Sequence, residues 1–157
     1  MIVKDIVYED FLQYKKPSMF IICPYCSFKC DIENGTQLCQ NWPLAKQPNI
    51  DIDNEKIISN YLQNPITKSI VFGGLEPMDS FQEIYDLIYL FRQNCNDDVV
   101  IYTGYNEDES VDKYERLKDF KNVIIKFGRY KPNEQPHYDD VLGIELASSN
   151  QYAKQIR

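Results

Sequence analysis

The chain has 157 residues and a formal net charge of −7, long enough for one domain to bury a core without disulfide staples. The acidic balance and the lack of clustered Lys and Arg argue against tracking a nucleic-acid backbone, so small molecules and proteins are the expected partners. No segment reaches the ~20 apolar residues of a membrane span and no basic-then-apolar leader opens the chain, which predicts a cytoplasmic protein with one domain over residues 1–157.

The first informative segment is an apolar run, Met19-Phe20-Ile21-Ile22, followed at once by Cys23, Cys26, Cys30 and Cys39. Cysteines that merely fill a core are usually scattered, so four in one short segment point to a metal or redox centre at a strand end. A helix is predicted from about Asn54 to Leu62, burying Ile57, Ile58 and Tyr61. The run Ser69-Ile70-Val71-Phe72 then reads as a strand, followed by Gly73-Gly74. Phe81, Ile84, Leu87, Ile88 and Phe91 recur at helical spacing behind a Ser80-x-x-Glu83 capping box. Cys95, beyond that helix, reads as structural. Val99–Tyr102 is a further strand with Gly104 after it, and Val111, Tyr114 and Leu117 repeat the helical signal more weakly. Val123-Ile124-Ile125 and Val141-Leu142-Gly143-Ile144 complete the apolar runs, with Gly128 beyond the first of them.

Short, continuously apolar runs suit strands buried on both faces, as in a parallel sheet covered by helices. Their alternation with helices makes the fold α/β. In parallel strands, Gly73-Gly74, Gly104, Gly128 and the cysteine segment all lie on the carboxyl-end face, where α/β folds bind ligands. Lys126 interrupts its strand near that end. It either faces the cavity, to meet a carboxylate or ribose, or snorkels to water. His137, the only histidine, lies in a turn-rich stretch and reads as a surface residue.

Three chemistries compete for the cysteines. Cys23-Pro24-Tyr25-Cys26 alone looks like a glutaredoxin dithiol, but Gly35 and a further cysteine interrupt the helix such a site needs, and no matching proline element follows. Four thiolates also make a closed tetrahedral zinc site, although structural zinc usually takes two separated pairs. The third reading is a [4Fe-4S] cluster held by three cysteines, in which Cys23 or Cys39 joins Cys26 and Cys30.

Here the chain resembles the radical S-adenosylmethionine (SAM) family. Cys26-x3-Cys30 reproduces the first half of that family's C-x3-C-x2-C signature, and Cys39-Gln40-Asn41 is similar to the Cys-aromatic-Asn that closes it in activating enzymes of anaerobic ribonucleotide reductase. Eight residues separate Cys30 from Cys39 rather than two, a six-residue insertion. Gly73-Gly74-Leu75-Glu76-Pro77 resembles the family's Gly-Gly-Glu-Pro element with one extra residue, and Thr103-Gly104-Tyr105 matches an element after the third strand of the activases. Gly128-Arg129-Tyr130 and Ala147-Ser148-Ser149-Asn150-Gln151 look like their Asp-Gly-Pro-Phe and Gly-Ser-x-Asn-Gln elements, with Phe127 in the aspartate position.

The resemblance implies a partial (β/α) barrel of minimal size with a mostly parallel sheet. It also implies a cluster on Cys26, Cys30 and Cys39, leaving Cys23 as a spare or buried thiol. SAM would be held by Gly73, Gly74 and Glu76, with Thr103 and Lys126 beside them. The implied activity is reductive cleavage of SAM to install a glycyl radical on the large subunit of anaerobic ribonucleotide reductase, with a flavodoxin- or ferredoxin-like electron donor.

Overall fold

Topology puts every long helix on one side of one sheet. The computed structural model describes residues 1–157. Its central sheet has six strands: β2 (Asp5–Asp10), β3 (Ser18–Cys23), β5 (Ser69–Gly74), β6 (Asp98–Tyr102), β7 (Val123–Phe127) and β10 (Tyr152–Gln155), in the order β10-β7-β6-β5-β3-β2. The four inner strands are mutually parallel, and the two edge strands are antiparallel to their neighbours. Each parallel strand is added beside the previous one without a reversal of direction. Because parallel crossovers are right-handed, such an order sends every crossover helix to the same face.

Those helices are α3 (Asn54–Gln63), α4 (Phe81–Arg92) and α5 (Val111–Leu117). Asp53 caps α3 by accepting the Glu55 amide, and Ile57, Ile58 and Tyr61 form its buried stripe. Phe81, Ile84, Leu87, Ile88 and Phe91 do the same for α4. In the weaker α5 only Leu117 is buried. Period-two alternation in the strands sends Met19, Ile21, Cys23, Phe72, Ile101, Ile125 and Phe127 into this same core, a cluster of 24 buried residues.

The opposite face is covered differently. Only seven buried residues cluster there, among them Val71, Val100 and Ile124 from the sheet, Tyr14 from the β2–β3 connection, and Leu142 and Leu146. The last two belong to a hairpin of β8 (His137–Asp139) and β9 (Ile144–Leu146). Both faces are thus covered as the apolar runs require, but helices cover one face and loops the other. Two short helices, α1 (Lys29–Asn34) and α2 (Trp42–Ala45), have no buried residues of their own, and a two-strand ladder pairs β1 (Ile2–Val3) with β4 (Ile50–Asp51). No helix is long and apolar enough to cross a membrane.

Two local expectations are corrected. The run Val141–Ile144 is not a strand: Val141 to Gly143 form the hairpin turn, Gly143 takes a φ of 73°, and β9 begins at Ile144. Its apolar signal comes from Leu142, which plugs the loop-covered core. The capping box at Ser80 is also absent. Ser80 ends a 3-10 turn over Pro77–Ser80, its buried hydroxyl has no partner, and Glu83 instead accepts the Ile2 amide at 3.0 Å. The turn occupies the residues that would otherwise bend into a capped helix start.

Candidate metal centre

A cavity of about 830 Å³ opens at the carboxyl ends of the parallel strands, on the loop-covered face. Phe20 and Ile22 of β3, Tyr102 of β6 and Lys126 of β7 point into it, opposite in phase to the core residues of the same strands. Cys26, Cys30 and Cys39 line one end. Leu146 and Ala147, from the hairpin and the loop after it, line another part.

Local backbone chemistry presents the three thiols. Phe28 adopts a left-handed φ of 51° at the start of α1, and its amide donates to the Cys26 sulfur at 3.3 Å. Helix α1 carries Cys30 and stops at Gly35, φ 67°, a conformation natural to glycine. The following loop returns Cys39 to the cavity, and the Asn41 amide donates to its sulfur at 3.4 Å. Asn41 also ties this loop to the sheet, its side-chain amide donating to the Gly74 carbonyl at 2.6 Å. All three cysteines are partly exposed. Cys23 is wholly buried on the helix-covered side of the sheet.

Desolvation pushes the Cys26 thiol up to about 12, opposed by the Phe28 amide and assisted by Glu76, Asp79 and Cys30. Desolvation also raises Cys30, with Cys39 adding to the shift and Arg129 working against it. A bound cation would favour the thiolate forms of Cys26 and Cys30 against that desolvation, and binding a metal releases their protons. No group of three or more His, Cys, Asp or Glu side chains is arranged to hold a single metal ion. Three thiols lining one cavity fit a multi-iron cluster in which each sulfur takes its own iron. Cys23, buried and raised further by desolvation, lacks the exposed, easily ionised thiol that a dithiol oxidoreductase requires.

Beside the thiols lies Glu76, 8% exposed. Its Oε1 accepts the Met78 amide at 3.0 Å and the Thr103 hydroxyl at 2.6 Å, and its Oε2 accepts the Gly104 amide at 2.8 Å. Burial still raises its pKa against those bonds. A carboxylate has about four lone-pair sites, so one on Oε2 is left free, and Glu76 lines the cavity. Gly104 links carboxylate and thiol: a Cβ built there would lie 3.4 Å from Glu76 Oε2 and 3.9 Å from the Cys30 sulfur. The cysteine loop is strapped to this region, because Glu76 donates its amide to the Tyr25 carbonyl at 2.8 Å, and Asp79 accepts both the Ser27 amide and the Tyr105 hydroxyl.

Lys126 is buried, lines the cavity and donates to the Gly128 carbonyl at 2.8 Å; desolvation lowers it to about 8 although Glu76 and Cys30 favour its charge. Gly74, Glu76, Thr103 and Lys126 therefore share the cavity with the three cysteines. Gly73 does not line it; a Cβ there would strike the Phe20 ring at 2.9 Å, which explains the glycine by packing. His137 pairs with Leu146 in the hairpin, outside the lining. Cys95 packs against the helix-side core.

Sequence reasoning passed over Asp31 and did not see the role of Arg129. Arg129, 5% exposed, makes a paired contact with Glu109 at 2.6 Å and approaches Glu33 of α1 at 3.4 Å, bracing the Cys30 helix. The Asn150 side chain holds the Arg129 carbonyl and the Gln151 side chain the Gly128 carbonyl, so the last motif acts on backbone.

No curated protein and no solved structure matches the chain significantly. Residues 18–152, from β3 to the start of β10, match the family described as the 4Fe-4S single cluster domain. That span contains all the cysteines and the whole cavity wall except Gln13, and the chain therefore belongs to the family of 4Fe-4S single cluster domains.

Proposed function

We propose that this iron–sulfur protein is a minimal radical SAM enzyme, and that its substrate is a glycine of anaerobic ribonucleotide reductase. The observation that carries the reading is the sharing of one cavity by three partly exposed cysteines, the Glu76 carboxylate and the Lys126 ammonium at the carboxyl ends of parallel strands. Its singly wound, open sheet with helices on one face is in keeping with a partial (β/α) barrel whose inner face is the cavity wall. Cys26, Cys30 and Cys39 would hold the cluster, which when reduced supplies the electron that splits the S–C5′ bond of SAM and so makes a hydrogen-abstracting carbon radical.

The residues around it have defined tasks. Glu76, fixed by three donors of its own chain, offers its remaining lone pair to the SAM ammonium group. Lys126 faces the carboxylate, so the pair reads the two ends of a zwitterion. Phe20, Ile22 and Leu44 supply apolar wall that keeps water from the reacting carbon. The open mouth admits a peptide loop, and a glycine suits hydrogen abstraction because its Cα radical is delocalised over two flanking amides.

Anaerobic reconstitution tests the reading in steps. About four irons and four sulfides per chain are expected, lost in the Cys26→Ala, Cys30→Ala and Cys39→Ala variants and kept in Cys23→Ala. Full cluster content in Cys39→Ala together with loss in Cys23→Ala would overturn the ligand set. Glu76→Gln, which keeps one acceptor for the Thr103 and Met78 donors, should retain iron and weaken SAM binding about tenfold to hundredfold. With SAM, reductant and the reductase, the glycyl doublet should appear in electron paramagnetic resonance. 5′-Deoxyadenosine without that doublet assigns the same chemistry to another substrate.

A further inference from the structure

The six-residue insertion leaves Cys39 at the end of a loop with no regular structure from Thr36 to Leu38. Closing and ordering such a loop costs conformational entropy, so something specific must hold its far end beside Cys30. The groups that do so converge on one side chain. Asp31, in the first turn of α1, accepts the amides of Leu38 and Cys39 on Oδ1, both at 2.9 Å, and the Trp42 indole N–H on Oδ2 at 2.6 Å. Trp42 in turn stacks on Phe28, ring centroids 3.9 Å apart and planes within 7°, and Phe28 is the residue whose amide reaches the Cys26 sulfur.

We propose that Asp31 is the positioning residue that delivers Cys39 to the iron–sulfur site, one carboxylate doing across an inserted loop what a two-residue turn does in the shorter signature. The inference rests on Cys39 being a cluster ligand. Asp31 is the chain neighbour of Cys30 and is hydrogen-bonded to the backbone of Cys39, so the two ligands are joined through a single residue. Hydrogen bonds to an ionised acceptor are the stronger kind and fix direction, and the two from the Leu38 and Cys39 amides set the backbone from which the Cys39 side chain departs. Through the Trp42–Phe28 stack the same carboxylate also couples the Cys39 end of the loop to the Cys26 end.

Site-resolved alkylation of the apoprotein tests the hold on Cys39 without any cluster. In Asp31→Ala, iodoacetamide should modify Cys39 roughly tenfold faster than in the parent, as expected for lost charge-assisted bonds, while Cys26 and Cys30 stay within about twofold. Asp31→Asn keeps Oδ1 for the two amides but loses the charge behind those bonds and the Trp42 contact, so it should fall between. After reconstitution, Asp31→Ala should surrender iron to a chelator roughly tenfold faster. An unchanged Cys39 rate in Asp31→Ala, or an equal rise at all three cysteines, would overturn the inference. If that happens while Cys39→Ala still fails to hold a cluster, the ligand assignment stands and only the role of Asp31 falls; full iron in Cys39→Ala removes both.

Discussion

The two faces of the sheet are built by different means. On the helix-covered face, strands and helices interlock apolar side chains, and the core of 24 residues includes the fully buried Phe72, Phe91 and Phe127. On the cavity face, seven buried residues suffice for the loop-covered part. The remainder is held by polar contacts: Asn41 on Gly74, Glu76 on Thr103 and Gly104, Lys126 on Gly128, Gln151 on Gly128. A face that must admit ligands cannot be packed shut. Its geometry is therefore set by directional bonds, and its stability is borrowed from the other side.

The largest predicted effect tests that division directly. Phe91 is fully buried and meets Tyr61 edge to face, centroids 4.8 Å apart, so Phe91→Ala should cost about 3–5 kcal/mol in chemical denaturation. Phe20, half-buried on the cavity wall, should cost roughly 1–2 kcal/mol as Phe20→Ala, within the ordinary range for single substitutions. Equal losses would show that the cavity wall carries as much of the fold as the helix side.

Next comes the cost of function on the cavity face. Without the cluster, burial lowers Lys126 to about 8 from 10.5, so between those values the unfolded chain holds a proton that the folded chain has released. Stability from this group therefore rises with pH through that window, and at neutral pH the charged lysine is a net penalty. Lys126→Met should stabilise the apoprotein by roughly 3 kcal/mol at pH 7, the drop from 10.5 to about 8 taken at 1.36 kcal/mol per pH unit. Gly128 keeps the Gln151 donor. The gain should shrink as pH approaches 10. The measurement is the difference between variant and parent, not either curve alone. A difference that stays flat with pH would remove the burial penalty from the account.

What the sequence made legible follows the same division. On the helix side, period and phase are local properties, so Ile57, Ile58, Tyr61 and the Phe81–Phe91 stripe could be read directly. The carboxyl-end placement of the cysteines and glycines also follows from strand direction alone. The cavity side depends on contacts between distant segments: Asp31 with Trp42, Asn41 with Gly74, Arg129 with Glu109. Hydrogen bonds of that kind leave no periodic trace. The apolar run at Val141 misled because a turn can bury one leucine as effectively as a strand does, and Gly73 has a packing reason beside its expected ligand role, its missing side chain making room for the Phe20 ring.

The smallest effect concerns the tie between cysteine loop and sheet. The Asn41 side chain donates at 2.6 Å to the carbonyl of Gly74, itself in a left-handed φ of 80° where an added Cβ would run into Ile22 and approach Leu44. Asn41→Ala removes one neutral hydrogen bond and should cost about 0.5–1.5 kcal/mol. If directional bonds rather than packing hold this face, the loss should appear locally. Amide hydrogen exchange from Leu38 to Ala45 should quicken, roughly threefold to tenfold for that energy, while β5 and α4 keep their rates. Uniform acceleration through β5 and α4 would mean instead that the loop and the helix-side core open as one unit, and that the two faces are energetically a single structure.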